Sequence, residues 1–327
     1  MIRAAEEATG NTRRAKALLI LPYFGSFGPW FPLYLYSLAH QHTLDLLLLT
    51  DGAPPQLPAN ARRVDMTFDQ LRDLANARLG TSVLLHRMRN IYDLRPAYGL
   101  LFEEFTRGYD YWAFGDEDVL YGDVDGMLAP HLDGSVDLVS PGTNGKSGHL
   151  TVVRNAPRMN ALAIHDPVYR DVLVSREHWA YDETSWRHGT GSSSFYAIVK
   201  GAEAQGTLSI RQGLQRRVNV PPPGRWYVYD GRRLQADDGT ELLYYHWGRM
   251  RYRNVKWPDP EAARHGFAFD RYGFYDPALG PARLVVRRGM GRIREFATDT
   301  RRRLSDARAA MSARMSGSPT DQAGNSG

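Results

Sequence analysis

Asp116, Glu117 and Asp118 follow directly on an apolar run in the stretch YWAFGDEDVLYGDV, from Tyr111 to Val124. Three neighbouring carboxylates repel one another, so they either sit in water as an acidic turn or surround something positive. An Asp-x-Asp pair presents hard oxygens that suit a divalent cation. A cation held there neutralises a diphosphate and eases its departure as a leaving group. Other chemistries are closed to the chain. It has no cysteine, which excludes disulfides and thiolate metal sites. The stretch GTGSSSF (Gly189–Phe195) lacks the lysine of a nucleotide-binding P-loop and reads as a flexible loop able to close over an acceptor.

Such acids need a scaffold, and in open α/β sheets ligands gather at the carboxyl ends of strands. KALLILPYFG is an apolar first strand ended by Pro22 and Gly25, FPLYLYSLAHQ has helical spacing, and LDLLLLTDG is a second strand closed by an Asp-Gly turn. RRVDMTF predicts a third strand and DQLRDLANARL a polar helix. LRPAYGLLFEEFTRG predicts one helix that Pro96 helps to start and Gly108 ends. YDYWAFGDED is then a strand whose exit carries the acids. Continuous apolar strands alternating with helices indicate an α/β sheet covered on both faces. After about residue 145 the pattern changes to a strand GHLTVVRN, a short helix APRMNALAI and a further apolar element SSSFYAIVK. RWYVYDGRRLQADDGTELLYYHW carries two Asp-Gly turns between aromatic and β-branched runs, which predicts an antiparallel meander.

The length of 327 residues and the hydrophobic share of 43% suffice for one large core. The net charge of +5 is local: from Pro281 to Arg314 there are ten arginines and no lysine against three acids, so the body is close to neutral. A duplex reader would spread basic residues over its folded face, so no nucleic-acid partner is expected. The N-terminus shows no apolar signal core, and no run approaches the roughly 18–20 apolar residues of a membrane span. A cytoplasmic location is the expectation. The expected organisation is a disordered stretch 1–15, one domain over 16–280, a basic helical segment 281–315 and a disordered tail 316–327. The basic segment either makes weak contact with an anionic membrane surface or packs as a solvated helix on the domain.

YWAFGDEDVLYGDV resembles the segment of GT-A-type glycosyltransferases in which an apolar strand runs into Asp-x-Asp and a short Gly-Asp loop. More narrowly, the chain is similar to a bacterial group of GT-A-like proteins that begins with an LPYFG strand. Other marks of that group follow in order: Thr50-Asp51, Asp93-Leu94-Arg95-Pro96-Ala97-Tyr98-Gly99, Gly148-His149-Leu150-Thr151, Arg154-Asn155, Tyr181-Asp182-Glu183 and His246-Trp247. The resemblance spans about residues 17–255.

What it implies is a GT-A, Rossmann-like mixed sheet flanked by helices, with an antiparallel aromatic C-terminal part. It also implies a metal-dependent transferase that moves a sugar from a nucleoside-diphosphate sugar, a UDP-sugar, to a hydroxyl of a glycan or secondary metabolite. Asp116, Asp118 and His246 would hold Mn2+ or Mg2+. Pro22, Tyr23, Phe24, Thr50 and Asp51 would form the nucleotide floor, since an aromatic stacks on a base and a carboxylate accepts from a ribose hydroxyl. Asp93 would bind sugar hydroxyls and Arg95 a phosphate. Arg249 and Arg251 would counter the leaving diphosphate, with Glu117 and His149 also on the donor side. Asp182 and Glu183 stand where inverting enzymes of this kind carry a general base, with His149 and His188 as rivals. The chain departs from the group at Arg95, where lysine is usual, and at Glu117, which a continuing strand would turn to the opposite side. Ordinary roles compete: core packing for Tyr23 and Phe24, a helix cap for Asp93, a surface arginine for Arg95. The alternatives to the transferase are a binding protein of the same fold without turnover, and a glycoside hydrolase using paired carboxylates.

Overall fold

The computed structural model describes residues 15–142, 148–185, 193–215, 225–248, 250 and 255–276. The expected disordered ends (apart from residue 15), the basic segment 281–315, His188, Arg249, Arg251 and most of the Gly189–Phe195 loop lie outside these residues.

The first half follows the apolar pattern closely. Strand β1 (Ala17–Pro22) is buried throughout, helix α1 (Phe31–Ala39) covers it, and β2 (Leu44–Thr50) runs parallel to β1 from the Ala17–Leu44 pairing onward. β3 (Ala61–Asp65) adds at the edge. Helix α2 (Phe68–Leu79) starts at a reciprocal cap between Thr67 and Gln70 and stops at Gly80, whose φ of 61° suits glycine.

The stretch expected to be one helix up to Gly108 is instead a chain of short turns. These are α3 (Asn90–Leu94), a 3-10 turn at Arg95–Ala97, α4 (Tyr98–Leu101) and α5 (Glu103–Thr106). The cause is burial on all sides: Leu94 to Tyr98 are all inside, so no amphipathic face exists to keep one axis straight. A Cβ on Gly99 would stand 2.5 Å from Asn160 Oδ1 and 2.6 Å from Trp112 Nε1, so only glycine lets this turn lie under the bond between those two side chains.

β4 (Tyr111–Gly115) joins the other side of β1, in parallel. β5 (Val119–Tyr121), α6 (Val124–Met127), β6 (Leu138–Gly142) and β7 (Leu150–Arg154) follow. Then come α7 (Pro157–Asn160), α8 (Pro167–Leu173), α9 (Phe195–Ala204) and β8 (Ile210–Gln215). The main sheet has seven strands in the order β3-β2-β1-β4-β7-β6-β8. β7 alone is antiparallel to its neighbours β4 and β6. This is the mixed sheet flanked by helices that the α/β reading called for.

The expected meander is only half present. β9 (Tyr227–Tyr229) and β10 (Leu234–Ala236) form a hairpin across the first Asp-Gly turn. β11 (Tyr244–His246) then leaves the hairpin and pairs with β5, Val119 opposite His246. Beyond α10 (Pro260–His265), β12 (Phe267–Asp270) and β13 (Gly273–Tyr275) complete a second, antiparallel sheet in the order β10-β9-β12-β13. Its core is made of rings, Phe269 touching Tyr227, Tyr245, Trp247 and Phe274. No helix among the described residues is long and apolar enough to cross a membrane.

Candidate functional site

From β1 the chain steps to β2 and β3 on one side, while β4 lies on the other. The strand order therefore reverses between β1 and β4, and a crevice opens at their carboxyl ends, where ligands of such sheets bind. A cavity of about 180 Å³ occupies this place. The end of β1 supplies Pro22, Tyr23 and Phe24; the exit of β4 supplies Gly115 and Glu117; α3 and the next turns supply Tyr92, Arg95 and Tyr98. Thr50 and Asp51 are not on this wall. They tie the neighbouring turns together, Gly52 N–H donating to Thr50 Oγ1 and Gly25 N–H to Asp51 Oδ1. Glu117 lines the cavity because the chain bends after Gly115 instead of continuing the strand.

Two antiparallel pairings gather the acid and imidazole groups. Opposite β4, the register of Gly115 with Leu150 sets Asp116 beside His149, and Asp116 N–H donates to the His149 carbonyl at 3.2 Å. Opposite β5, the β11 register sets His246 next to Asp118, whose carbonyl accepts from Trp247 N–H. His246 Nε2 thus lies 3.0 Å from Asp118 Oδ1 and 3.5 Å from Asp116 Oδ2. The His149 and His246 ring centres are 3.8 Å apart. Asp116, His149 and His246 each offer a ligand atom within 4.8 Å of the others.

Arg95 is the hub on the other side. The expected placing of its guanidinium against a phosphate differs from what the structure presents, because the group is buried and four of its N–H donors are committed. Nη2 donates to Asp116 Oδ1 at 2.6 Å and to the Gly115 carbonyl; Nη1 donates to Asp182 Oδ2 at 2.8 Å and to the Gly148 carbonyl. A Cβ on Gly148 would come within 2.9 Å of Glu183 Oε1 and 3.3 Å of both Arg95 Nη1 and Asp182 Oδ2, so a side chain here would push Glu183 aside and crowd the Arg95–Asp182 pair. Asp93, expected near sugar hydroxyls, is likewise turned inward. It accepts from the backbone N–H groups of Trp179 and Tyr181 and sits 2.9 Å from His178 Nδ1, so it fixes the segment that delivers Asp182 and Glu183.

The two carboxylates on Arg95 respond in opposite ways. Burial works to raise Asp116, but the charge of Arg95 and then those of His246 and His149 outweigh it and hold the carboxyl down to about 2. Asp182 has Arg95 as its one positive partner and like charges in Glu183 and Asp93. Burial dominates there and pushes it up to about 8.

Of the residues expected at the site, the structure brings Asp116, Asp118, His149 and His246 together, with Asp182 joined to Asp116 through Arg95 and Glu183 beside Gly148. Sequence reasoning missed His178 and the inward role of Asp93. The available signal was a histidine between charged and aromatic residues, four positions before Asp182.

Over residues 19–209 the chain matches, and belongs to, a family described as "Family of unknown function (DUF6625)". No curated protein matches it. Among solved structures it is similar to the apo-form glycosyltransferase GlyE of Streptococcus pneumoniae TIGR4, at 12% identity over 60% of this chain and 45% of that one, with a TM-score of 0.32. A second GlyE crystal structure from the same strain matches at 11% identity over the same shares, with a TM-score of 0.28. The chain thus spans less than half the length of these structures, and the likeness is too slight to assign a residue or an activity.

Proposed function

We propose that the chain is a metal-dependent glycosyltransferase that takes a nucleoside-diphosphate sugar, a UDP-sugar by the sequence resemblance, in the crevice between β1 and β4. The observation that carries this reading is the convergence of Asp116, Asp118, His149 and His246 beside an aromatic-walled cavity. The donor set fits a divalent cation. Its carboxylate and imidazole atoms lie 3.0 and 3.5 Å apart, close to the roughly 3 Å between adjacent ligands of an ion held at about 2.1 Å. Two imidazoles beside two carboxylates favour Mn2+ over Mg2+, which prefers oxygen alone. When bound, such an ion supplies charge neutralisation for a leaving diphosphate.

The protein's own residues do the rest. Tyr23, Phe24 and Tyr92 present ring surface to a base or sugar. Arg95 anchors Asp116 from behind, so that Oδ2 remains directed at His246. Glu183 is half-buried and near Gly148 N–H at 3.3 Å, whereas Asp182 is buried against Arg95. Glu183 is therefore the general base and Asp182 a positioning residue. Glu183 accepts the acceptor's hydroxyl proton while that oxygen bonds the anomeric carbon and the carbon–oxygen bond to the diphosphate breaks. One such displacement inverts the anomeric configuration. Thermal shifts with UDP and other nucleoside diphosphates, with and without Mn2+, test the reading. Stabilisation that needs both nucleotide and metal, and is absent in Asp118→Asn, is the expected result. No response to any nucleoside diphosphate, or an equal response in Asp118→Asn, removes it.

A further inference from the structure

Among the described residues, the large apolar side chains that stand exposed are Leu84, Met88, Ile164 and Val174, at 38–44% exposure. Single exposed apolar residues are ordinary on a protein surface. These four are not scattered. They lie in two segments, 82–89 and 164–176, that adjoin one another. Leu84 N–H donates to the Leu173 carbonyl at 2.7 Å, and α3 packs against α8. On α8 the exposed residues Pro167, Arg170 and Asp171 form one stripe that Val174 at its C-terminal cap continues, while Tyr169, Val172 and Leu173 face inward.

The same two segments carry four exposed arginines, Arg87, Arg89, Arg170 and Arg176, against one exposed acid, Asp171, with exposed Glu177 directly after the second segment. None of the four guanidinium groups forms an ion pair among the described residues, although arginines elsewhere on the surface, such as Arg72 and Arg225, do. Met88 is also part of the cavity wall, so the patch borders the mouth of the crevice.

We infer that this face docks on an anionic lipid bilayer, with Leu84, Met88 and Val174 entering the headgroup boundary and the arginines meeting lipid phosphates. An apolar edge ringed by unpaired cations is the chemistry that such a surface rewards, through buried apolar area and attraction to negative lipid together. The crevice mouth then opens at the membrane plane. This inference does not depend on the reaction proposed above and also differs from the expectation placed on the basic segment 281–315.

The test uses the full chain, sedimented with vesicles of phosphatidylcholine alone and of phosphatidylcholine with about one quarter phosphatidylglycerol. Binding to the anionic vesicles, weakened by salt, is expected. Leu84→Asp with Met88→Asp should weaken it by about tenfold or more, and Arg87→Ser with Arg89→Ser by roughly 25-fold, about fivefold for each arginine. All four positions are exposed, and unchanged thermal unfolding will verify that the variants fold. Nucleotide-dependent stabilisation, read separately, distinguishes failure of this inference from failure of the enzymatic one. Anionic-vesicle binding that is absent, or is the same in both double variants as in the native chain, overturns the inference. So does a native dimer that Leu84→Asp with Met88→Asp splits, because the face then belongs to a second copy.

Discussion

The crevice side of the main sheet and the small aromatic sheet differ in what they bury. Around the crevice, Asp93, Arg95, Asp118 and Asp182 are all inside. In the small sheet the interior is Tyr227, Tyr229, Phe267 and Phe269 with Tyr245 and Trp247, and its one buried acid among the described residues is Asp270. Buried charges fix geometry but contribute little net stability, because desolvation offsets their attraction. Ring packing stabilises strongly and specifies less chemistry. The two regions meet at β11, which packs Tyr245 into the rings and hands His246 to the acids. The aromatic layer is thus a brace for a site that would otherwise hold itself together poorly.

That contrast can be broken at its strongest point first. Arg95→Ala leaves the Asp116 carboxylate without its cation and Asp182 without its donor, and we expect a loss of about 3–5 kcal/mol together with the proposed metal-dependent nucleotide binding. Denaturant unfolding and thermal shift measure the two, and a stable, binding-competent variant would show that Arg95 is not the hub. Phe269→Ala removes the ring at the centre of the brace. Its cost should fall toward the lower part of about 3–5 kcal/mol, since neighbouring rings can tilt into the space. Nucleotide affinity below the new melting point should hardly change, and a selective loss of affinity would mean that the brace takes part in the chemistry. Gly148→Ala displaces Glu183 and crowds the Arg95–Asp182 pair and should cost about 1–3 kcal/mol. Turnover should fall further than that destabilisation explains, which steady-state kinetics will reveal.

The gentlest probe is pH. The folded chain keeps the Asp182 proton up to about pH 8, while an unfolded chain releases it near the ordinary value of about 3.9. Between those limits the native state binds the extra proton, so stability falls as pH rises, by at most about 1.36 kcal/mol per unit for one proton. Asp116 acts oppositely, contributing stability above its ordinary value that is lost as pH falls toward about 2. Chemical denaturation across pH 5–8 should show the downward slope in the native chain and its disappearance in Asp182→Asn. An identical slope in the variant would assign the proton elsewhere.

Strands β1, β2 and β4 were legible because each is a continuous apolar run closed by a turn, as in ALLILP before Tyr23 and LDLLLLT before Asp51. The segment after Asn90 was not, since LRPAYGLL reads as a helix until the demands of Trp112 and Asn160 on Gly99 are known. Nor was the departure of β11: LLYYHW alternates equally well for its own hairpin or for a strand far away, and only the β5 register decides. In the site, residue type and spacing pointed to Asp116 and Asp118, whereas His246 came only from the resemblance. The direction of Arg95 could not be read, because nothing local distinguishes an arginine facing solvent from one enclosed by two carboxylates and two carbonyls.

The ribbon of β5 and β11 has a consequence in time. Asp118 and His246 are 128 positions apart, and at a synthesis rate of roughly 5–20 residues per second β5 waits roughly 6–25 s for the strand that pairs with it. During that interval its hydrogen-bonding edge is open, and the carboxylates beside it have no imidazole from β11. A growing chain therefore carries the acids early but gains His246 only 128 residues after Asp118, so no nascent fragment that stops short of β11 can bring the acids and both imidazoles together.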